Sequence, residues 1–432
     1  MLLIKNIRLI DPASGRDENT DILADETGVI KLSPGGSIEP GDLDEDTLMI
    51  DGTDLVACPG LVDVHVHFRD PGFEYKEDIE TGALAAAAGG FTSVVCMANT
   101  KPAADCPEVI GENIKKGEKT GIHVYQAATV TKGMQGKELT DFDALKKAGA
   151  CGFTDDGVPI LDAALAKAAM EEAARHGAVL SFHEEDPAYI ENNGINRGSA
   201  SRALGIGGSG REAEISMIER DVALAKETGA VINIQHISTA EGVDLIRKAV
   251  EGDESGRKIH AEATPHHFTL TEEAVKTYGS LAKMNPPLRT EEDRMAIIAG
   301  LKDDTIDIIA TDHAPHSEEE KAREITQAPS GITGLQTSLA LGISSLVKPG
   351  HLTLPRLIEK MSLNPAKLYG LDAGCIREGG PADITVFDPD EEWVFERDMV
   401  KSKSANTPFI GMSLTGRVKA TICGGVIVYY EQ

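Results

Sequence analysis

Residues 61–68 read LVDVHVHF: apolar side chains at five of eight positions, with Asp63, His65 and His67 on alternate places. A run of this length and period is a strand. Seven more apolar runs follow before residue 317: TSVVCMAN (from Thr92), IHVYQAAT (Ile122), CGFTDD (Cys151), AVLSFHEE (Ala178), AVINIQHIS (Ala230), KIHAEATPHH (Lys258) and TIDIIATDHAPH (Thr305). Several start directly after a helical run that ends in glycine, as in AAAAGG–FTSVVCM, KKGEKTG–IHVYQAA, LKKAGA–CGFT, EEAARHG–AVLSFH and LAKETG–AVINIQH. Gly121, Gly149, Gly177 and Gly229 stand where a helix takes a left-handed closing residue. Helices are predicted between the strands, for example over 159–176 and 212–228. Near-continuous apolar strands that alternate with helices are buried on both faces, as in a parallel sheet.

Eight βα units predict an α/β fold built on a (β/α)8 TIM-type barrel over 58–374. A doubly wound open sheet is the competitor, and the first βα turn lacks the Gly-rich phosphate fingerprint of that class. Residues 1–57 and 375–432 read as short strands broken by Gly, Pro and Asp. Neither end can bury much core alone, so the two are predicted to combine in one small β-sandwich domain.

Composition bounds the function. The chain has 432 residues, with 42 Lys plus Arg against 70 Asp plus Glu, a net charge of −28. Such a surface repels nucleic acid and anionic membrane. No apolar run approaches the roughly 18–20 residues of a membrane span, and the N-terminal MLLIKNIRLIDP is too short for a secretory signal. Six scattered cysteines without a CxxC pair read as reduced thiols, which predicts a cytoplasmic protein. Aromatic residues are only 4%, so the core is expected to be aliphatic.

Chemistry in a barrel sits at the C-terminal ends of its strands. There this sequence places His65 and His67, Asp155-Asp156, His183-Glu184-Glu185, His236 and Asp312-His313. His65 and His67 are two apart and face one side. Four histidines and two acidic positions exceed the needs of one tetrahedral ion, so two metals sharing a carboxylate are expected. Asp155 and Asp156 point to opposite faces of a strand. Spacing does not say which bridges, and the other is expected to cap the turn that follows. Asp312 is expected to ligate or to act as general base. Arg69, Asn99, Asn285 and His316 follow strand ends and are candidate substrate groups. Segment 317–334 is expected to loop over the mouth as a lid, with its acidic run 317–320 solvated. His266-His267 and His260 are read as structural.

These motifs, DVHVHFRDPGFEYKEDIETGALAAAAGGFTSVVCMANTKP with FTDDG, SFHEED, QHIST, NPPLR and TDHAPH, resemble the signature of the dihydroorotase family of the amidohydrolase superfamily. The likeness runs in order over about residues 55–370. It is to the bacterial type in which an aspartate bridges two zinc ions.

The resemblance implies two Zn2+ per chain, held by His65, His67, Asp156, His183, His236 and Asp312. Asp156 would be the bridge and Asp312 the catalytic acid–base. It places His67, Arg69, Asn99, Asn285, His316, Ser330 and Gly331 at the substrate. It implies reversible cyclisation of N-carbamoyl-L-aspartate to dihydroorotate, a step of pyrimidine synthesis. It also implies a homodimer, with partnership to aspartate transcarbamoylase open. The chain departs from the family in MANT, where MPNT is usual, and in Ser330-Gly331, where Phe-Gly is usual. Alternatives are another cyclic amidase, such as allantoinase or a hydantoinase, and an inactive dihydroorotase-like scaffold. The first normally carries a carboxylated lysine on strand four, and the second loses metal ligands.

Overall fold

All eight predicted barrel runs form strands, and these close into a ring. The computed structural model describes residues 1–251 and 256–431. Strands β1 (Leu2–Asp11), β2 (Arg16–Asp25), β3 (Gly28–Pro34), β4 (Leu48–Asp51) and β5 (Val56–Pro59) come first. The barrel follows: β6 (Leu61–Val66), β7 (Phe91–Cys96), β8 (His123–Gln126), β9 (Phe153–Thr154), β10 (Val179–Phe182), β11 (Val231–Ile234), β12 (Ile259–Ala263) and β13 (Ile308–Ile309). Strands β14 (Ile384–Val394), β15 (Ser413–Cys423) and β16 (Val426–Tyr430) end the chain.

The barrel strands pair in parallel as two arcs, β6-β7-β8 and β9-β10-β11-β12-β13. Two short seams join them. Thr154 N donates to Ala128 O (2.8 Å) between β8 and β9, and His67 N donates to His313 O (2.8 Å) between β13 and β6. The second seam sits beside the histidine pair, so closing the barrel and placing His67 are one event.

The helices end where their sequence stops them. Asp162 caps the helix Ala163–His176 by accepting from Ala164 N and Leu165 N, so the helix starts inside the predicted span. Gly177 (φ 55) closes it, and Gly229 (φ 72) closes the helix Glu212–Thr228, both left-handed. Gly121 is not left-handed. A Cβ there would meet Val428 Cγ1 at 2.8 Å, so close packing rather than backbone conformation calls for glycine. In the Ala-rich helix Ile79–Ala88, Gly82 lets the Phe68 ring lie where a Cβ would be, 2.4 Å from Cδ1. The core is mainly Ala, Val, Ile and Leu, and the scarce phenylalanines Phe68, Phe91, Phe142, Phe153 and Phe268 are buried in it.

The two ends meet in one hydrogen-bonded sheet, ordered β16-β15-β14-β5-β1-β2-β3 with β4 on β1. The link is the antiparallel pair β5–β14 (Val386↔Ala57). This sheet has its own apolar cluster, to which Ile4, Ile7, Ile22, Ala57, Ile384 and Ile422 contribute. It is a separate sheet domain beside the barrel. Two connections tie it to the mouth. Strand β5 runs through Gly60 straight into β6. Segment 402–409, between β14 and β15, leaves the sheet and lies against the barrel: Asn406 holds three backbone groups of the mouth, and Ser402 hydrogen-bonds Glu77.

Candidate active site

The strand ends converge on one carboxylate. Asp156 Oδ1 lies 3.5 Å from His65 Nε2, 3.7 Å from His183 Nδ1 and 3.6 Å from His236 Nε2, and its Oδ2 lies 3.3 Å from His67 Nε2. Asp155 turns the other way, as alternation along a strand requires. It accepts from Val130 N (2.8 Å), Thr131 N (3.1 Å) and the Thr131 hydroxyl. It therefore ties down the loop after β8, not the turn that follows it in sequence.

The imidazole protons can be assigned from their partners. A carboxylate only accepts, so His65 Nδ1, 3.0 Å from Glu262 Oε2, carries the proton. His65 Nε2 then offers a lone pair. It is buried without a hydrogen-bond partner, 3.6 Å from Asp312 Oδ1. His67 Nδ1 donates to Asn99 Oδ1 (2.9 Å), and Asn99 Nδ2 in turn donates to Asp156 O (3.3 Å). His67 Nε2 therefore faces Asp312 Oδ1 at 3.0 Å. Two lone pairs and two carboxylates converge in a buried space, and such a set needs positive charge, from protons or from a metal cation. Burial pushes the Asp156 and Asp312 carboxyls up. When those ring nitrogens carry protons instead, the neighbouring imidazoles, His65 first for Asp156 and His67 first for Asp312, outweigh burial and hold both below the ordinary range.

Nitrogen and oxygen donors of this kind suit zinc-like divalent ions. Two sets have donor atoms all within 4.8 Å of one another: His65–Asp156–His236 and His65–His67–Asp312. His183 stands beside them, with Nδ1 3.0 Å from His236 Nε2. The residues present therefore fit a metal centre.

The backbone is also unusual here. Arg69 (φ 61), His236 (φ 36) and Asp312 (φ 48) all adopt the left-handed region. That conformation costs a non-glycine residue on the order of 1–3 kcal/mol and gathers at working sites. It turns these side chains out of the strand direction and into the mouth.

A cavity of about 250 Å³ opens over the cluster. His67, Arg69, Asn99, Asn285, His316, Ser330 and Gly331 all line it. Arg69 is half-buried and donates through Nε to Pro315 O (3.3 Å). His316 is already engaged on both ring nitrogens: Nε2 donates to Ser330 O (2.8 Å) and Nδ1 accepts from Lys76 Nζ (3.3 Å). Burial, with Arg69 and Lys76 beside it, pushes its pKa far down, so the ring is neutral. It holds the wall in this state, and contacting a ligand would require giving up one of those bonds. Arg69 Nη2 touches His316 Nε2 at 3.4 Å, and with both groups donors this is packing rather than a hydrogen bond.

The loop beyond β13 is clamped by two buried lysines that sequence reasoning missed. Lys283 Nζ donates to Ile325 O (2.8 Å) and Ala328 O (2.7 Å), and Lys321 Nζ donates to Pro329 O (2.9 Å) and Gly331 O (3.0 Å). Asn406 adds bonds to Ala314 O and Gly331 O (both 3.1 Å). The acidic run is only partly solvated, because Glu320 pairs with Lys76 at 2.9 Å. Glu262 was also missed, although a carboxylate inside the apolar strand KIHAEA is itself a signal. His267, between Thr264 and Pro286 O, and His260, on Asp307, are structural as read.

The chain resembles known proteins over its whole length. A dihydroorotase of Clostridioides difficile (strain 630) is 54% identical over 429 residues, which is 99% of this chain and 100% of the relative. A dihydroorotase of Clostridium acetobutylicum is 50% identical over 432 residues, all of both chains. The chain belongs to the dihydroorotase family. The dihydro-orotase-like family model matches residues 54–242, which hold the strand ends from His65 to His236. Among solved structures, L-hydantoinase from Arthrobacter aurescens superposes with a TM-score of 0.86 at 25% identity, covering 99% of this chain and 96% of its own. A D-hydantoinase from Thermus sp. (TM-score 0.82, 23% identity, 100% of this chain and 96% of its own) shares the fold of this dihydroorotase-family chain. No helix among the described residues is long and apolar enough to cross a membrane.

Proposed function

We propose that the cavity over Asp156 carries out the dihydroorotase reaction, the reversible closure of N-carbamoyl-L-aspartate to dihydroorotate. The observation that carries this reading is one carboxylate within 3.7 Å of four imidazoles, with Asp312 and Arg69 opening onto the same space. His65, His67, His183, His236, Asp156 and Asp312 would hold two zinc ions, with Asp156 shared. Bound there, zinc supplies Lewis acidity: it makes a water more acidic and offsets charge that develops on the amide oxygen.

The chain's own groups do the rest. Arg69 lines the cavity and matches the substrate carboxylate with a two-pronged hydrogen bond. Asn99, through the Nδ2 hydrogen not given to Asp156 O, would join Arg69 at that carboxylate, and Asn285 would contact the ring. In ring opening, Asp312 takes the proton of the attacking water and hands it to the departing ring nitrogen. In closure, the reacting carboxylate first takes one proton from solvent; Asp312 then moves the proton of the attacking ureido nitrogen to the resulting hydroxyl, which departs as water. Its position against His67 keeps it ionised and ready to accept. Because the substrate is an anion and the protein carries −28, attraction has to be local, from Arg69 and the ions.

The reading includes a cytoplasmic homodimer, for which solution mass is the check. Co-sedimentation with aspartate transcarbamoylase tests that partnership. The deciding experiment measures metal per chain alongside cyclisation of N-carbamoyl-L-aspartate, with allantoin and hydantoin as controls. Turnover of hydantoin without dihydroorotate would overturn the reading in favour of a hydantoinase. No turnover and no zinc would favour a scaffold.

A further inference from the structure

At the opposite end of the barrel, where β8 begins, three side chains from distant parts of the chain meet. His123 opens β8, Asp383 precedes β14 and Cys423 ends β15. One ligand atom of each, an imidazole nitrogen, a carboxylate oxygen and the sulfur, lies within 4.8 Å of the other two. His123 Nε2 is 3.0 Å from Asp383 Oδ2. That is a spacing two ligands of one ion can keep, since Zn–N and Zn–O bonds are about 2.0–2.2 Å.

We propose that His123, Asp383 and Cys423 form a second, structural site for a thiophilic divalent cation such as zinc or cobalt, separate from the cluster at the mouth. Four observations carry it. The ligands sit on or beside strands rather than on free loops. Asp383 is oriented from behind, because its Oδ1 accepts from Gly424 N at 2.8 Å and leaves Oδ2 facing the imidazole. A thiol and a carboxylate are buried side by side, Cys423 at 7% and Asp383 at 4% exposure, which only a shared cation makes favourable for a thiolate. The His123 side chain is 44% exposed, so an ion has a way in and water can fill the fourth position.

The charges balance. A divalent ion with one thiolate, one carboxylate and a neutral imidazole is net neutral, which is the form such a pocket tolerates. Binding releases the Cys423 proton to solvent, and the His123 proton moves to Nδ1 or is lost. Without the ion, burial and Asp383 push the thiol's pKa up, so Cys423 stays protonated and inert. Sulfur selects against magnesium and calcium. The site would join the barrel to the sheet, since β8 belongs to one and β14 and β15 to the other.

Cobalt(II) chloride tests this, because the mouth cluster holds no sulfur. Added in excess to chelator-stripped full-length protein, it should produce a thiolate-to-cobalt charge-transfer band. Cys423→Ser should abolish the band and lower the metal count by one, with catalytic turnover unchanged. If that variant does not fold, His123→Gln should weaken cobalt binding at this band by at least about tenfold. A wild-type protein without the band, or a Cys423→Ser protein that keeps it, would overturn the proposal.

Discussion

Glu262 Oε2 lies 3.0 Å from His65 Nδ1, and the other oxygen of the same carboxylate accepts from Asn233 Nδ2 at 2.5 Å. The ring of His65 is therefore fixed in one tautomer from below, with Nε2 delivered to the cluster. Replacing Glu262 with Gln keeps the shape and removes the charge that fixes the proton. Metal affinity should fall about 10–100-fold, read by competition against a chelator. Unchanged affinity would show that His65 needs no such support.

Asp312 has the geometry of a base, pressed against His67 at 3.0 Å and facing the cavity. Asp312→Asn should retain metal and lose turnover by about 10²–10⁴-fold. Metal analysis beside steady-state kinetics separates the two effects. Near-normal turnover would remove Asp312 from the acid–base role.

The neighbouring aspartates should part company on mutation. Asp156→Asn should lower bound metal. Asp155→Asn should leave metal intact but weaken three bonds to Val130 and Thr131, costing about 1–3 kcal/mol of stability. Metal content and thermal unfolding measured on both variants distinguish them, and the reverse pattern would move the bridge to Asp155.

Lys321 anchors the loop that bears Ser330 and Gly331, and burial pushes its pKa down to about 7. In the unfolded chain the amine keeps its proton up to its ordinary value near 10.5. Between these values the unfolded state binds more protons, so this group's contribution to stability rises with pH across that window. Lys321→Met should abolish the rise, visible in denaturant unfolding from pH 7 to 10. It should also raise KM more than it lowers kcat, because the cavity wall loosens while Asp312 stays in place. A parallel pH profile in the two proteins would refute the assignment.

Much of this was legible because barrel chemistry sits at strand ends. His65, His67, His183, His236 and Asp312 could be read from apolar runs that stop at a polar residue. The eight strands were equally plain, although β9 and β13 keep only two residues of regular pairing and the ring closes there through short seams. What the sequence hid depends on contacts between distant positions. The choice between Asp155 and Asp156 is made by donors at 130 and 131, some 25 residues away. Lys283 and Lys321 could not be picked out, because nothing local shows that backbone carbonyls will surround them. Asn406 looked like part of the terminal sheet, yet it supports the mouth.

That last support bears on how the enzyme comes into being. Asn406 receives the His316 amide across 90 positions of chain. Synthesis is vectorial, and domains take shape as they emerge. A nascent polypeptide thus acquires every imidazole and acid of its catalytic centre well before it can brace the wall beside them. Between those moments it is a barrel that has its reagents but not its vessel.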